Sequence, residues 1–329
     1  MTSSPPSWTP EPGEDLAQRV AVERLPAGFT RFGQEPAQMP AGAPGKLGLL
    51  QLRFMAQGDR TRLALGYATG PQRVGRVLHL DGELPGMAFA VIQSVSGGIL
   101  QGDRLGIEIT VAPGAQAHVT TQSATKLYRM DRNYATQRLR VRVEADAYLE
   151  LLPDYLIPYR HARFYQEVQL QVADDATVLF SDAVAPGRAA SGELFAYDLL
   201  FSRVEAHDLA GCIRFTDTLL LEPGRRDPRR TGLLAGRSDL GTLYVLTRAT
   251  EPSKLADRLD NCIRAVPGVD GGASRLPGMD GVVARVIGHS SRAVQAALHR
   301  LWRTVRLSVL GVDVPKVHSV KYGREPACG

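Results

Sequence analysis

The sequence predicts a mainly β protein of the α+β class, in which stacked layers of strands are followed by two C-terminal helices. Strict apolar/polar alternation dominates from Leu47 to Leu246, and beyond Leu246 the apolar period becomes helical. The alternation also repeats. Leu105, Ile107, Ile109 and Val111 alternate with Gly106, Glu108 and Thr110; Leu139, Val141 and Val143 alternate with Arg138, Arg140 and Arg142; Val168, Leu170 and Val172 alternate with Glu167, Gln169 and Gln171. In each run an alanine (Ala115, Ala147, Ala176) follows shortly after the last apolar residue, and a second strand begins there. A period of roughly thirty residues is that of supersecondary units that stack into a solenoid or layered sheets. Three hairpins of an ordinary sandwich would satisfy the same pattern.

Taken in order, residues 1–46 are rich in Pro, Gly, Glu and Ala, with one short helix around Leu16 to Leu25, and read as a mobile extension. Residues 47–311 form the folded domain. Within it, a helix starts after Pro252 and stops before Pro267-Gly268, burying Leu255, Leu259, Cys262, Ile263 and Val266. The apolar strand Val282 to Ile287 leads to Ser290 or Ser291 as N-cap of a second helix, with a buried stripe of Val294, Leu298, Leu301, Trp302 and Val305 and a stop at Gly311. Residues 312–329 are a tail.

Composition narrows the function. Of 329 residues, 44% are hydrophobic and 22% charged, enough for a sizeable core. The net charge of +5 is spread along the chain, which does not make a nucleic-acid footprint. No apolar run is long enough for a bilayer and the start has no secretory pattern, so a cytoplasmic protein without a membrane partner is expected. Cys212, Cys262 and Cys328 are odd in number and far apart, unlike a disulfide framework or a metal knuckle.

Stacking places equivalent positions side by side. The second strands end at Thr120-Thr121-Gln122, Leu152-Pro153-Asp154 and Ser181-Asp182, so their polar groups converge on one edge, and His118 and Glu150 are also equivalent. Ser96 to Asp103 is glycine-rich but lacks the Lys-Ser/Thr of a phosphate loop and feeds a strand, so it reads as a sharp turn held by Asp103. The polar run Thr120 to Tyr128 reads as a solvated loop or a partner surface. Leu151 to Tyr159, with Pro153 and Pro158, reads as a stiff packed elbow or an apolar partner contact. The seven histidines form no close pair, so no tight metal site and no stably bound cofactor are expected. Weak transient coordination at Glu150, Asp154 or Asp182 remains open. No nucleophile motif is present. A β-solenoid carbohydrate-active enzyme, resting on the repeat and free carboxylates, and an RNA binder through Arg225 to Arg230 are the alternatives to a non-catalytic protein.

Four ordered motifs resemble those of the UreD/UreH urease accessory proteins: Gly97-Gly98-Ile99-Leu100-Gln101-Gly102-Asp103, Thr120 to Tyr128, Leu152-Pro153-Asp154 with Ile157-Pro158, and Asp182 to Arg188 with Gly192-Glu193. Gly241-Thr242-Leu243 and Leu301-Trp302-Arg303 continue the likeness, which runs from about Leu47 to Leu310. It departs where Ser96 precedes Gly97-Gly98, since the family opens with Pro-Gly-Gly. The resemblance implies stacked, β-helix-like layers with C-terminal helices, and a non-enzymatic role in nickel insertion. The implied partners are UreF, UreG through UreF, and the urease apoprotein, with nickel in transit through an internal water-filled passage. Candidate lining residues are His118, Thr120, Gln122, Glu150, Asp154 and Asp182. The motif residues Gly97, Gly98, Gly102, Asp103, Thr120, Thr121, Gln122, Thr125, Lys126, Pro153, Asp154, Pro158, Asp182, Arg188, Gly192 and Glu193 are the candidate partner-binding set. A diverged paralogue serving another target fits the same motifs.

Overall fold

The computed structural model describes residues 15–33, 45–277 and 281–315. The chain begins with α1 (Leu16–Val20) and a 3-10 turn (Ala27–Phe32), then β1 (Leu47–Gln57), β2 (Arg60–Ala68), β3 (Gln72–Val74) and β4 (Ala88–Ser94). The repeats follow as β5 (Arg104–Val111), β6 (Gln116–Thr121) and β7 (Thr125–Leu127); β8 (Ala135–Val143), β9 (Tyr148–Leu151) and β10 (Leu156–Pro158); β11 (Arg163–Val172) and β12 (Thr177–Val184). A hairpin of β13 (Leu199–His207) and β14 (Ile213–Leu221) precedes β15 (Asp239–Leu246), α2 (Pro252–Arg264), β16 (Val269–Arg275), β17 (Gly281–Gly288) and α3 (Ser291–Val309).

Strands within one repeat do not pair with each other, which decides between the two expected arrangements. The first strand of every repeat joins one sheet, in the order β14-β13-β11-β8-β5-β1-β2, parallel except at its two edge pairs. The second strand joins the other sheet, β16-β17-β15-β12-β9-β6-β4-β3, whose β4, β6, β9 and β12 are parallel. Short strands β7 and β10 and the Ile99 to Leu127 bridge make a third side. The result is the β-helix-like stack expected, with helices at its C-terminal end.

The corner alanines have a steric reason. At Ala115, Ala147 and Ala176 the sheets converge, each residue is at most 2% exposed, and successive corners bond through Tyr148 N–H to Ala115 O and Thr177 N–H to Ala147 O. The predicted apolar phases face inward: Leu139 lies between Ile107 and Val168 in the ladder, all within one core cluster.

The outer face of the first sheet is less wet than alternation predicts. Every residue of β11 is buried, including Glu167, Gln169 and Gln171, because the chain's front segment lies across it. Arg138 donates to Ala21 O at 2.9 Å and to Glu23 at 2.5 Å, Glu23 N–H donates to Glu167 at 3.0 Å, and Phe29 meets Tyr134 edge-on at 5.3 Å. Residues 15–33 of the expected mobile extension are therefore packed, with Val20 and Phe29 buried. The helix expected to Leu25 ends at Val20, where Ala21 turns extended and gives its carbonyl to Arg138. The remainder of the extension lies outside the described residues except for Gly45 and Lys46, and the tail is described only to residue 315.

Both predicted helices cover the outer face of the second sheet. Leu255, Leu259 and Ile263 of α2 and Val294, Leu301, Trp302 and Val305 of α3 pack on Leu179, Leu243 and Val282, with Leu298 and Cys262 at the margin. Ser290 caps α3, accepting from Ala293 N–H at 3.3 Å, and Gly311 supplies φ of 72° after it. Gly241 is required for contact: a Cβ there would stand 2.8 Å from Val294 Cγ1.

Candidate functional site

Inward-facing positions carry one polar row. Along β8, β11 and β13, Gln137, Gln166 and Ser202 are cross-strand neighbours on the lumen side, and Asp182 faces them from β12. Ser202 Oγ donates to Asp182 at 2.7 Å, Gln166 Nε2 donates to Ser202 Oγ at 3.2 Å and to Asp182 at 3.3 Å, and Gln72 Nε2 donates to Gln137 Oε1 at 3.3 Å. Apolar layers flank the row: Leu139, Val168, Phe180 and Val204 on one side, Ala135, Phe164, Val184 and Leu200 on the other. At one end Gln72 borders a cavity of about 60 Å³ lined by Gly97, Gly98, Thr121, Gln122 and Thr125. At the other, Asp182 and Ser202 border a cavity of about 50 Å³ shared with Asp217, Thr242, Tyr244 and Arg285. Each has room for water. Burial raises the Asp182 carboxyl above its ordinary value, outweighing the hydrogen bonds from Ser202 and Gln166 that lower it, and the nearby Asp217 charge adds to the rise.

The residues expected to line a passage separate into two faces. His118 and Glu150 are register partners as the repeat implied, yet both point outward under α3. His118 Nδ1 carries the proton donated to Glu150 at 2.7 Å, Tyr148 OH donates to the same carboxylate at 2.8 Å, and Arg306 reaches it at 3.3 Å and Asp81 at 2.6 Å. Burial pushes the Glu150 carboxyl up, but His118 and Arg306 outweigh it and hold it below its ordinary value. Thr120 donates to Leu152 O, and Asp154 accepts from Gln295 of α3 at 2.8 Å. Gln122 and Asp182 reach the two cavities that border the row. Among the described residues no group of three His, Cys, Asp or Glu is placed to hold a metal ion.

Gln137, Gln166 and Ser202 were not singled out by motif. Their signal was phase alone: each lies two residues from an inward apolar position.

Similarity to known proteins decides the family. The sequence profile described as UreD urease accessory protein matches residues 46–319. The chain belongs to the UreD urease accessory protein family. It is 38% identical over 290 residues to urease accessory protein UreD 2 of Brucella suis, covering 88% of this chain and 96% of that one. It is 38% identical over 290 residues to urease accessory protein UreD of Photorhabdus laumondii (88% and 90% covered), and 35% identical over 280 residues to that of Cenarchaeum symbiosum (85% and 98% covered).

The UreD-type motifs have structural reasons. Gly97 has φ of 72°, and a Cβ on Gly98 would stand 2.4 Å from Lys126 O, so only glycine lets this turn lie on β7. Asp103 accepts from Lys46 N–H at 3.0 Å and Leu100 N–H at 2.9 Å, tying chain entry to the turn that Gly102 completes with φ of 76°. Glu193 accepts from Arg188 at 2.5 and 2.8 Å and from Arg160 N–H at 3.3 Å; the Arg188 bond holds it down to about 2. The Pro153 to Pro158 elbow is mostly packed, with Leu152, Tyr155 and Leu156 buried, while Lys126, Arg188 and Gly192 are exposed. In the basic loop, Arg229 is tied to Asp227 and Arg225 to Glu222. No described helix is long and apolar enough to cross a membrane.

Proposed function

We propose that this chain is a non-catalytic cytoplasmic scaffold of urease maturation that bridges apo-urease and UreF, with UreG recruited through UreF. Nickel, as cargo, passes through its interior along the Gln72, Gln137, Gln166, Ser202 and Asp182 row. The observation that carries this reading is the row itself, a single polar layer between two apolar ones that joins the motif-lined cavity to the Asp182 cavity. Its chemistry suits transit. Nickel stands high in the affinity order for nitrogen and sulfur ligands, so imidazoles or thiolates on the way would retain it, whereas amide and hydroxyl oxygens release it. The His118 and Glu150 pair then holds α3 in place instead of lining the path.

The test is nickel per active site in urease matured with its other accessory proteins. Loading should depend on this chain, and Gln166→Leu should lower it while co-purification with UreF and urease persists. Full loading without the chain would mean a diverged paralogue with another target, and normal loading by Gln166→Leu would remove the row from the path.

A further inference from the structure

We infer that Arg285 is a counter-ion gate at the Asp182 end of the polar row, closed by its ion pair with Asp217 across the open flank of the two sheets. The inference rests on reading the row as a cation path. Asp182, Thr242 and Arg285 form one cross-strand row on β12, β15 and β17 of the second sheet, leading from the interior outward. Asp217 belongs to β14, the last strand of the first sheet. Arg285 therefore spans from one sheet to the other to bond Asp217, and Tyr244 OH donates to the same carboxylate oxygen at 2.7 Å. The pair stands where the cavity meets solvent: the Arg285 side chain is 52% exposed and that of Asp217 26%.

Position and strength together make this a gate. A half-exposed arginine pair is weak, and its long side chain swings to solvent at little cost. While it stays, a divalent cation at the cavity meets a fixed positive charge. When it leaves, Asp217 and Tyr244 present oxygens next to those of Ser202 and Asp182, so opening removes the repulsion and completes an all-oxygen hand-over point. Arg285 thus excludes cations at rest and exchanges places with the cargo.

The test reads cation access directly. In a full-length chain whose native cysteines are serine, Ser202→Cys is titrated with Ag⁺, a small thiophilic cation, and loss of the free thiol is timed. Adding Arg285→Met should speed that loss by about tenfold or more, the order expected from removing one unit charge a few ångström from the path at an intermediate effective dielectric. Arg285→Lys, which keeps the charge, should not. Thermal unfolding of each variant separates opening from unfolding. Equal rates for the chain that keeps the Arg285–Asp217 pair and for Arg285→Met would overturn the gate and leave the path standing. A thiol introduced by Ser202→Cys that Ag⁺ never reaches in any folded variant would overturn path and gate together.

Discussion

Arg306 is a fully buried charged residue of α3 that bonds Asp81 and Glu150, and Arg306→Met isolates its contribution to the docking of that helix. Methionine keeps the length of the side chain beside Trp302, whose ring centroid lies 5.8 Å from the guanidinium. What is lost is the cation between Asp81 at 2.6 Å and Glu150 at 3.3 Å, in a site where Arg306 and Glu150 are fully buried and Asp81 is 6% exposed. Removing one partner of a buried ion pair costs about 3–5 kcal/mol, because the other charge stays buried without its partner. Here both carboxylates keep other donors. Glu150 retains His118 and Tyr148, and Asp81 accepts from Glu83 and Leu84 N–H at 3.0 and 3.1 Å. The expected cost is therefore at the lower end, about 3 kcal/mol. With a urea slope of about 3 kcal/mol/M, the midpoint falls by about 1 M. Adding Glu150→Gln removes one uncompensated charge, so the double variant should cost less than the sum of the singles, by about 1 kcal/mol or more. A shift below about 0.3 M for Arg306→Met, or strict additivity, would refute the account of this cluster as a charge-balanced lock.

Three further outcomes are expected. Phe29→Ala, which empties the aromatic contact with Tyr134 and Tyr165, should cost about 3–4 kcal/mol in urea unfolding and open residues 15–33 to limited proteolysis; native-like resistance would mean the front segment is held by its ion pairs alone. Gly98→Ala should destabilise by about 1–3 kcal/mol, since Lys126 O cannot yield to a Cβ without moving β7, and an unchanged urea midpoint would show that the turn has slack. Glu193 has its folded value depressed to about 2, so its pairing with Arg188 stabilises above the ordinary carboxylate value and is lost as pH falls towards 2. The urea-midpoint gap between native protein and Glu193→Gln should therefore shrink from pH 7 to pH 3, and a constant gap would count against the ion pair.

The stack was legible because its physics is periodic. Two-residue alternation and the recurring Ala115, Ala147 and Ala176 expose the coil directly, and the pairing of His118 with Glu150 followed from the repeat. Which side that pair faced was also latent in phase: inward positions of β6 and β9 are Ala117, Val119, Leu149 and Leu151, leaving His118 and Glu150 outward. The polar row was harder to read, because Gln72 meets Gln137, and Ser202 meets Asp182, only through distant contacts that no local pattern encodes. The front segment gave no periodic signal either. It is anchored by Val20 and Phe29, by the ion pairs of Arg19 with Glu108 and Glu23 with Arg138, and by the Glu23 N–H that donates to Glu167. Arg306 sat four residues after Trp302 on the buried stripe of α3, a charged residue on an apolar face whose partners, Asp81 and Glu150, lie far back in the sequence.

A parallel stack explains how a polar row can run through an apolar interior. Equivalent positions superpose at about 4.8 Å from strand to strand, so one polar residue in each coil is enough to make a continuous row. The choice of residue is then constrained by burial. Adjacent carboxylates at that spacing would repel one another in a low-dielectric interior, and adjacent lysines would do the same. Amides and hydroxyls cost less to bury and bond to one another along the row. Gln137, Gln166 and Ser202 obey this rule through the middle of the stack. Carboxylates appear only at the end, where burial raises the Asp182 carboxyl above its ordinary value and Asp217 has Arg285 as its counter-ion. The same logic that lets the row exist thus predicts where its charge must sit, and why an arginine is found there.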